Sequence, residues 1–377
     1  MEHPAADPGG PGRARALDGL RGIAACAVVV YHGILHNDPA LVQRVLLEPV
    51  QSAASVRDGL TKLALSLFDG EAAVYIFFVL SGCVLRMSLA RQGGERAGRL
   101  CAGFALARAV RLYPPVVACM VLIYALGWMG APGVRVFAPW ELAANASLWA
   151  MPMHGPSYTI QVELLAVPFI LAAWLLRRRF GVVGLVLCLA WGVMALETGW
   201  MVGFLPNMHA FLVAFMAGMV VAEPRLGGVL AEAPGEAWWA ALAGVVACRA
   251  WEPHVRISGL IAMTMCAALL VGGLLHGRRG SLHRALEGRV AQRLGRVSFS
   301  LYLLSVPVLY VIWGWTDRWG WVGRHALEVG VAVAVAAIGV TYPLAWVSER
   351  WVERPAVLAA RAVAGWMRGR RLLVAGE

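Results

Sequence analysis

The chain carries little charge: only 15% of its 377 residues are Asp, Glu, Lys or Arg, whereas 60% are hydrophobic. In soluble domains about a quarter of the residues are charged and about half are apolar. The alternating pattern of an outer-membrane barrel is also missing, and open sheets are excluded from lipid because their edges leave backbone groups unpaired. These absences favour an all-α polytopic membrane protein.

Motifs of several enzyme classes are missing as well. The sequence has no glycine-rich phosphate loop, no dinucleotide fingerprint and no HExxH or paired-cysteine spacing typical of metal sites. Its seven cysteines lie almost entirely in apolar runs, and we interpret them as small packing residues and not as a disulfide framework. We therefore predict no metal site and no permanently bound cofactor.

Apolar runs of about 18 or more residues, long enough to cross a bilayer, recur along the whole chain. They predict about ten transmembrane helices, near 17–36, 70–90, 112–131, 157–176, 180–197, 203–222, 237–252, 255–276, 297–314 and 322–347. Residues 37–69 are expected to form an external loop with a short interfacial helix. The transmembrane domain then covers 17–355, between a disordered cytoplasmic tail at 1–16 and a basic cytoplasmic tail at 356–377.

The distribution of basic residues predicts the orientation. With both termini in the cytoplasm, the inner segments hold roughly three times as many Lys and Arg residues as the outer ones, as the positive-inside rule requires. We therefore predict a multi-pass protein of a bacterial cytoplasmic (inner) membrane. The formal net charge of +11 is explained by loop arginines that contact anionic lipid headgroups, so membrane lipids are expected partners and nucleic acid is not.

The first predicted span contains two polar residues that a bilayer makes costly, Arg21 and His32. An Arg at mid-membrane costs roughly 2.5–3.5 kcal/mol, so such residues usually mark function. Eleven residues separate the pair, which places both on one helical face about 16 Å apart. The alternative is a snorkelling arginine and an interfacial histidine.

Three further polar residues are candidates. Arg108 and Arg111 end an arginine-rich loop at 86–111, where they either signal topology or clasp phosphates, since guanidinium matches phosphate geometry. Glu163 lies inside the otherwise apolar fourth span and is either a functional carboxylate or half of a structural Glu–Arg pair. Four other histidines, in loops or at the ends of spans, are interpreted as solvated residues, namely His36, His154, His254 and His325, and His209 is interpreted as a core residue.

Six segments carry a resemblance to a known family: LDGLRGIAACAVVVYH, EAAVYIFFVLSG, RAVRLYPP, SYTIQVELLAVPF, LGRVSFSLYLLSVPVL and SERWVERPA. In this order, from Asp18 to Pro355, they resemble the motifs of the acyltransferase 3 family of membrane O-acyltransferases. Any one match is weak, whereas six collinear matches are specific.

The resemblance implies a transferase that takes an acyl group, commonly acetyl, from cytoplasmic acyl-coenzyme A. The acceptor would be a hydroxyl of a carbohydrate, a lipid-linked glycan or a secondary metabolite. By motif, His32 would be the catalytic base, Arg21 and Glu163 would belong to the catalytic site, and the donor would be bound by four residues, namely Arg21, Ser81, Arg108 and Arg111. A neutral imidazole can accept the hydroxyl proton, and a thioester is already activated.

Some positions depart from the family pattern. Ser305 stands where the late motif usually has histidine, Tyr158 where tryptophan is usual and Thr159 where serine is usual. The hydrolase-like extracytoplasmic domain of some relatives is not expected after the last motif. The protein then either acylates its acceptor itself or passes the group to a separate extracytoplasmic partner protein.

Two other functions also fit intramembrane Arg, His and Glu residues. A transporter of a small anionic solute or an acyl group would contain them too, but inverted repeats and broken helices in matching halves are not visible in the sequence. A non-catalytic scaffold would tolerate replacement of His32.

Overall fold

The computed structural model describes residues 11–91, 97–251 and 256–367, and in these ranges the chain is helical with no strand. Short π-helices cover Val42–Leu46 and Glu349–Glu353. The α-helices are α1 (Pro11–His36), α2 (Val56–Leu67), α3 (Gly70–Ala90), α4 (Ala97–Trp128), α5 (Pro139–Ala146), α6 (Tyr158–Leu165), α7 (Val167–Phe180), α8 (Val182–Thr198), α9 (Met208–Val221), α10 (Pro224–Glu232), α11 (Ala237–Trp251), α12 (Ile257–His276), α13 (Ser281–Leu286), α14 (Arg289–Thr316), α15 (Ala326–Ser348) and α16 (Arg354–Met367).

Each predicted span coincides with one helix or, at 157–176, with α6 and α7 in succession. Within the described ranges, 7 helical stretches are long and apolar enough to cross a membrane, and the count is 8 if α9 and α10 form one span bent by 77°. The helical fold and the membrane-spanning helices confirm the prediction of an all-α membrane protein. The count of about ten spans and the cytoplasmic position of both termini stay predictions.

The two predicted tails are partly helical. Residues 11–16, which we expected in the disordered N-terminal tail, form the first turns of α1, while residues 1–10 lie outside the described ranges. At the other end, α16 packs along α4, and residues 368–377 of the predicted basic tail are not described.

The structure also differs from the prediction at 86–111, where we expected a loop. Helix α4 begins at Ala97, so Arg108 and Arg111 lie within a helix and not in a loop. The same helix continues through Pro114 and Pro115. Membrane helices accommodate proline because neighbouring groups satisfy the freed backbone carbonyls, so the two prolines do not mark a helix boundary here.

Helix α1 lies inside the bundle and packs against α3, α12, α14 and α15. Glycines allow its close approach to α14: a Cβ added to Gly22 would collide with the backbone nitrogen of Gly295, and a Cβ added to Gly295 would collide with the carbonyl oxygen of Asp18. Small residues at such crossings let helix backbones approach in a membrane. Arg21 and Arg296, each next to one of these glycines in the sequence, line the same cavity.

The two ends of the bundle are named by residues of α1. The Arg21 end is the one at which α1 begins, and it also holds the start of α14 and the end of α3. The His36 end is the opposite one, where the His36 imidazole lies 3.0 Å from the Asp317 carboxylate and stacks on Trp313.

Candidate active site

A cavity of about 430 Å³ opens inside the bundle at the Arg21 end. Every one of the six motifs singled out in the sequence contributes to its wall, although they are spread over most of the chain. One residue from each motif shows the convergence: Arg21, Ser81, Arg111, Glu163, Tyr302 and Glu353. The tertiary fold therefore assembles the motifs into a single site.

Five of the six predicted site residues line this cavity, namely Arg21, Ser81, Arg108, Arg111 and Glu163. His32 is absent from its wall, and no described residue of α1 beyond Arg21 reaches it. The half-buried His32 ring lies about 16 Å farther along α1, in edge-on contact with the Tyr31 ring at 5.5 Å between centroids. The structure therefore groups the arginines and the carboxylate but sets His32 apart from them.

The barrier between the cavity and His32 is apolar and aromatic. Val28, one turn before His32, packs with Ala73 and Tyr302, and Phe77 joins this cluster. The Phe77 and Tyr302 rings meet edge-on with 6.0 Å between centroids, and both line the cavity. A substrate that reaches from the arginines to His32 has to pass these two rings.

Glu163 is held by two hydrogen bonds inside the cavity. Arg108 donates to its Oε1 atom, and the Ser81 hydroxyl donates to the same atom at 3.0 Å. The Arg108 side chain is 9% exposed and the Glu163 side chain 21% exposed, so the pair is largely removed from water. The pairing corresponds to the structural Glu–Arg alternative considered from the sequence, and it leaves Arg108 only partly available for a ligand.

Arg111 differs from Arg108 in its pairing. It is half-buried and lines the cavity, yet in the described ranges no carboxylate lies within ion-pair distance of it. Among the described residues, Arg21 is paired only with Asp18, at 3.4 Å, and its side chain is 30% exposed. Counted over the described wall, 5 arginines face 3 carboxylates, which leaves an excess of two positive charges. A largely enclosed cavity with surplus guanidinium groups is suited to an anion.

Glu353 is a wall residue to which the sequence interpretation assigned no role. It ends the second π-helix, accepts a hydrogen bond from the Ser300 hydroxyl at 3.0 Å, and interacts electrostatically with Arg111 and Arg21. The segment SERWVERPA was recognised as a motif, but only the packing of its π-helix beside α4 and α14 places this carboxylate near the arginines.

Tyr302 is a second residue that was missed. Its hydroxyl donates to the Pro156 carbonyl at 3.0 Å and accepts from Thr159 at 3.1 Å. These bonds tie α14 to the start of α6, the helix that carries Glu163. The departure at Thr159 therefore preserves a hydroxyl that supports the site.

Ser305 lies away from the cavity. Its hydroxyl donates to the Tyr302 carbonyl at 3.0 Å, and the side chain is buried. Close by, the ring Nε2 atom of His154 lies 3.0 Å from the Leu303 carbonyl oxygen. His154 is fully buried, so its interpretation as a solvated loop histidine was wrong, because the loop before α6 folds into the bundle.

Comparison with known proteins defines the class of protein. The acyltransferase 3 family model, described as an acyltransferase domain, matches residues 15–350, which is most of the chain. The chain belongs to this family and is a membrane acyltransferase.

A curated relative narrows the class. The O-acetyltransferase PaAT-1 of Phomopsis amygdali is 26% identical over 379 aligned residues, which cover 78% of this chain and 71% of the relative. This likeness and the family together support a membrane O-acyltransferase. No solved structure matches the chain significantly.

Proposed function

We propose that the protein transfers an acyl group, in the first instance acetyl, from coenzyme A to a hydroxyl of a carbohydrate, a lipid-linked glycan or a secondary metabolite. The observation that carries the proposal is Arg111, a half-buried guanidinium that lines the cavity with no carboxylate within ion-pair distance in the described ranges. Together with Arg21 and Arg108 it offers the charge that the donor's pyrophosphate needs, and guanidinium groups bind phosphate oxygens in pairs.

The proposed membrane placement follows from the arginines. The Arg21 end faces the cytoplasm, where acyl-coenzyme A is found, and the chain crosses a bacterial cytoplasmic membrane about ten times with both termini inside. The excess of basic residues in the inner segments supports this orientation. A hydroxyl acceptor then approaches His32 from the His36 end, or the acyl group is passed there to a separate extracytoplasmic partner protein.

The proposed reaction needs a base and a binding site more than a metal. The acceptor oxygen attacks the thioester carbonyl carbon, a C–O bond forms, and the C–S bond breaks. His32 takes the hydroxyl proton and returns it to the departing coenzyme A sulfur, as general base and then general acid. In the alternative route, His32 itself first attacks the thioester and becomes acylated.

The roles of the wall residues follow from their contacts. Arg21, Arg108 and Arg111 orient the donor so that its pantetheine arm points along α1 toward His32, a rise of about 16 Å. Glu163 and Ser81 keep Arg108 in place through their shared hydrogen bonds. Holding both reactants in this geometry supplies much of the rate.

Acetyl-coenzyme A turnover by the purified protein in nanodiscs tests the proposal. Release of free coenzyme A is measured for the wild type, for His32→Ala and for His325→Ala, a control at an exposed histidine of the His36 end. Loss of a general base lowers turnover by about 10²–10⁴-fold. We expect that loss in His32→Ala only, with acetyl-coenzyme A binding retained because the arginines are intact.

Each other outcome has a distinct meaning. If His32→Ala binds the donor and turns it over at the wild-type rate, His32 is not the base. If the wild type neither binds nor turns over acetyl-coenzyme A, the donor assignment fails, and solute uptake into proteoliposomes then tests transport of a small anion.

A further inference from the structure

Two arginines at the mouth of the cavity have no part in the function described so far. Arg91 follows the last turn of α3 and Arg296 lies near the start of α14, and both line the cavity. The exposed fraction of the side chains rises from 9% for Arg108 to 30% for Arg21 and 48% for Arg296, and Arg91 is also exposed. Arg91 and Arg296 are therefore the most exposed of the five arginines on the described wall.

The ion pair of Arg296 with Glu349 is long, and Glu349 also pairs with a second arginine. Its guanidinium nitrogens lie 3.4 and 3.5 Å from the Glu349 oxygens, which is long for a charged hydrogen bond. Arg354 reaches the same carboxylate at 2.5 Å, so Glu349 already has a closer cation. Arg91 has no carboxylate within ion-pair distance among the described residues. Both guanidinium groups are available to an anion at the mouth.

The chemistry of the donor supplies that anion. Coenzyme A carries a third phosphate on the ribose, at the end of the molecule farthest from the sulfur. If the sulfur points toward His32 and the pyrophosphate lies at Arg21, Arg108 and Arg111, the ribose phosphate comes to the more exposed part of the wall.

We propose that Arg296 and Arg91 form a subsite for the ribose 3′-phosphate, so that the enzyme prefers coenzyme A thioesters to donors without this phosphate. The disfavoured donors include 3′-dephospho-coenzyme A thioesters and phosphopantetheine attached to a carrier protein. This inference rests on the proposed function, because it assumes that the cavity holds coenzyme A. Charge-assisted bonds from guanidinium to phosphate provide the selectivity.

The test compares the binding of two ligands, coenzyme A and 3′-dephospho-coenzyme A, to the full-length protein in nanodiscs. Calorimetry gives both dissociation constants for the wild type and for Arg296→Gln, Arg91→Gln and Arg296→Lys. Arg293→Gln is the matched control, since Arg293 is an exposed arginine one turn earlier on α14 that does not line the cavity. Retained affinity for 3′-dephospho-coenzyme A shows that each variant is folded.

We expect the wild type and Arg293→Gln to bind coenzyme A about tenfold more tightly than the dephosphorylated ligand, as charged hydrogen bonds at a half-exposed site predict. The ratio of the two dissociation constants should fall toward one in Arg296→Gln and fall less in Arg91→Gln. It should be largely restored in Arg296→Lys. Equal wild-type affinity for the two ligands overturns the inference and leaves the donor assignment intact. An equal loss for both ligands in Arg296→Gln also overturns it. Failure to bind either ligand removes the donor assignment itself.

Discussion

Arginines at the two ends of the bundle are paired in opposite ways. At the His36 end, Arg249 of α11 is 4% exposed and bonds to Asp69 at 3.2 Å and to Glu71 at 2.7 Å. At the Arg21 end, Arg111 is half-buried and has no carboxylate partner at ion-pair distance in the described part of the chain. The two residues are of the same type and sit in the same apolar protein, but Arg111 lines the cavity at the Arg21 end and Arg249 does not.

The difference separates a structural role from a binding role. A buried arginine with two acidic partners is compensated within the fold, and its removal takes the cation away from a buried carboxylate. A guanidinium that faces a cavity without a partner is compensated only when an anion enters. Pairing and cavity access, and not residue type or burial alone, therefore distinguish the two roles, and this distinction can be tested.

The largest expected effect is on folding, in Arg249→Met. The Asp69 side chain is 2% exposed, and its carboxylate also caps the first turn of α3 by accepting from the Ala72 backbone N–H at 2.6 Å. Loss of the arginine leaves the buried Asp69 carboxylate without this cation, which costs about 3–5 kcal/mol. The apparent melting temperature in detergent should fall clearly below that of wild type.

The matched control for this variant is Arg324→Gln, which removes an exposed arginine from the same end. Surface charges of this kind contribute little, about 0–1 kcal/mol. An Arg249→Met protein that melts with the wild type would contradict the structural role. Loss of coenzyme A binding in a folded Arg249→Met protein would contradict the division into a structural role at the His36 end and a binding role at the Arg21 end.

The second largest expected effect is on coenzyme A binding, in the Arg111→Gln variant. Because no carboxylate loses its partner, thermal stability in detergent should stay near the wild-type value. Affinity for coenzyme A should fall by about 10- to 100-fold, the effect of losing hydrogen bonds to a charged group. Calorimetry with coenzyme A and a melting curve on the same sample provide both readouts. A stability loss as large as that of Arg249→Met would show that Arg111 has a structural role after all.

The smallest expected effect is on coenzyme A affinity, in Glu163→Gln. Glu163 combines the two features compared above, because it is paired with an arginine and also lines the cavity. Glu163→Gln keeps an amide oxygen for Arg108 and Ser81 and removes one negative charge beside the anion. Coenzyme A should bind more tightly by about threefold to tenfold, since charges interact strongly at reduced dielectric. Weaker binding would mean that holding Arg108 in place needs the negative charge of the carboxylate and not only its hydrogen-bond acceptor.

Glu141→Gln is the control for the Glu163 variant. Arg135 donates to Glu141 at 2.5 Å, and this hydrogen bond, with one from the Ala138 backbone, holds the pKa of the Glu141 carboxyl below its usual range. Glu141 is thus also a paired carboxylate, but it does not line the cavity. Its replacement should leave coenzyme A affinity unchanged, so that a common change in both variants would indicate a general effect of carboxylate removal.

Much of the architecture was predictable because apolar length and motif order are local properties of the chain. The run around Arg21 and His32 predicted the helix, and every predicted span overlaps an α-helix in the described ranges. Boundaries were less predictable: Arg108 and Arg111 lie within α4 because prolines and arginines, which mark loops in soluble proteins, are accommodated in membrane helices.

Several contacts could not be predicted because they join segments far apart in the sequence. The bond between Arg108 and Glu163, and the burial of His154 against Leu303, depend on how α4, α6 and α14 pack. The same holds for Glu353, which nears Arg111 and Arg21 only through the packing of its π-helix.

The sequence by itself determined an all-α membrane protein, its family motifs and the identity of five polar wall residues, because hydrophobic length and residue type are written locally along the chain. Only the tertiary structure decided which arginines are compensated, which face a cavity, and that His32 lies beyond the cavity wall. The physical reason is that the free energy of a buried charge depends on its neighbours in space, and those neighbours come from distant helices.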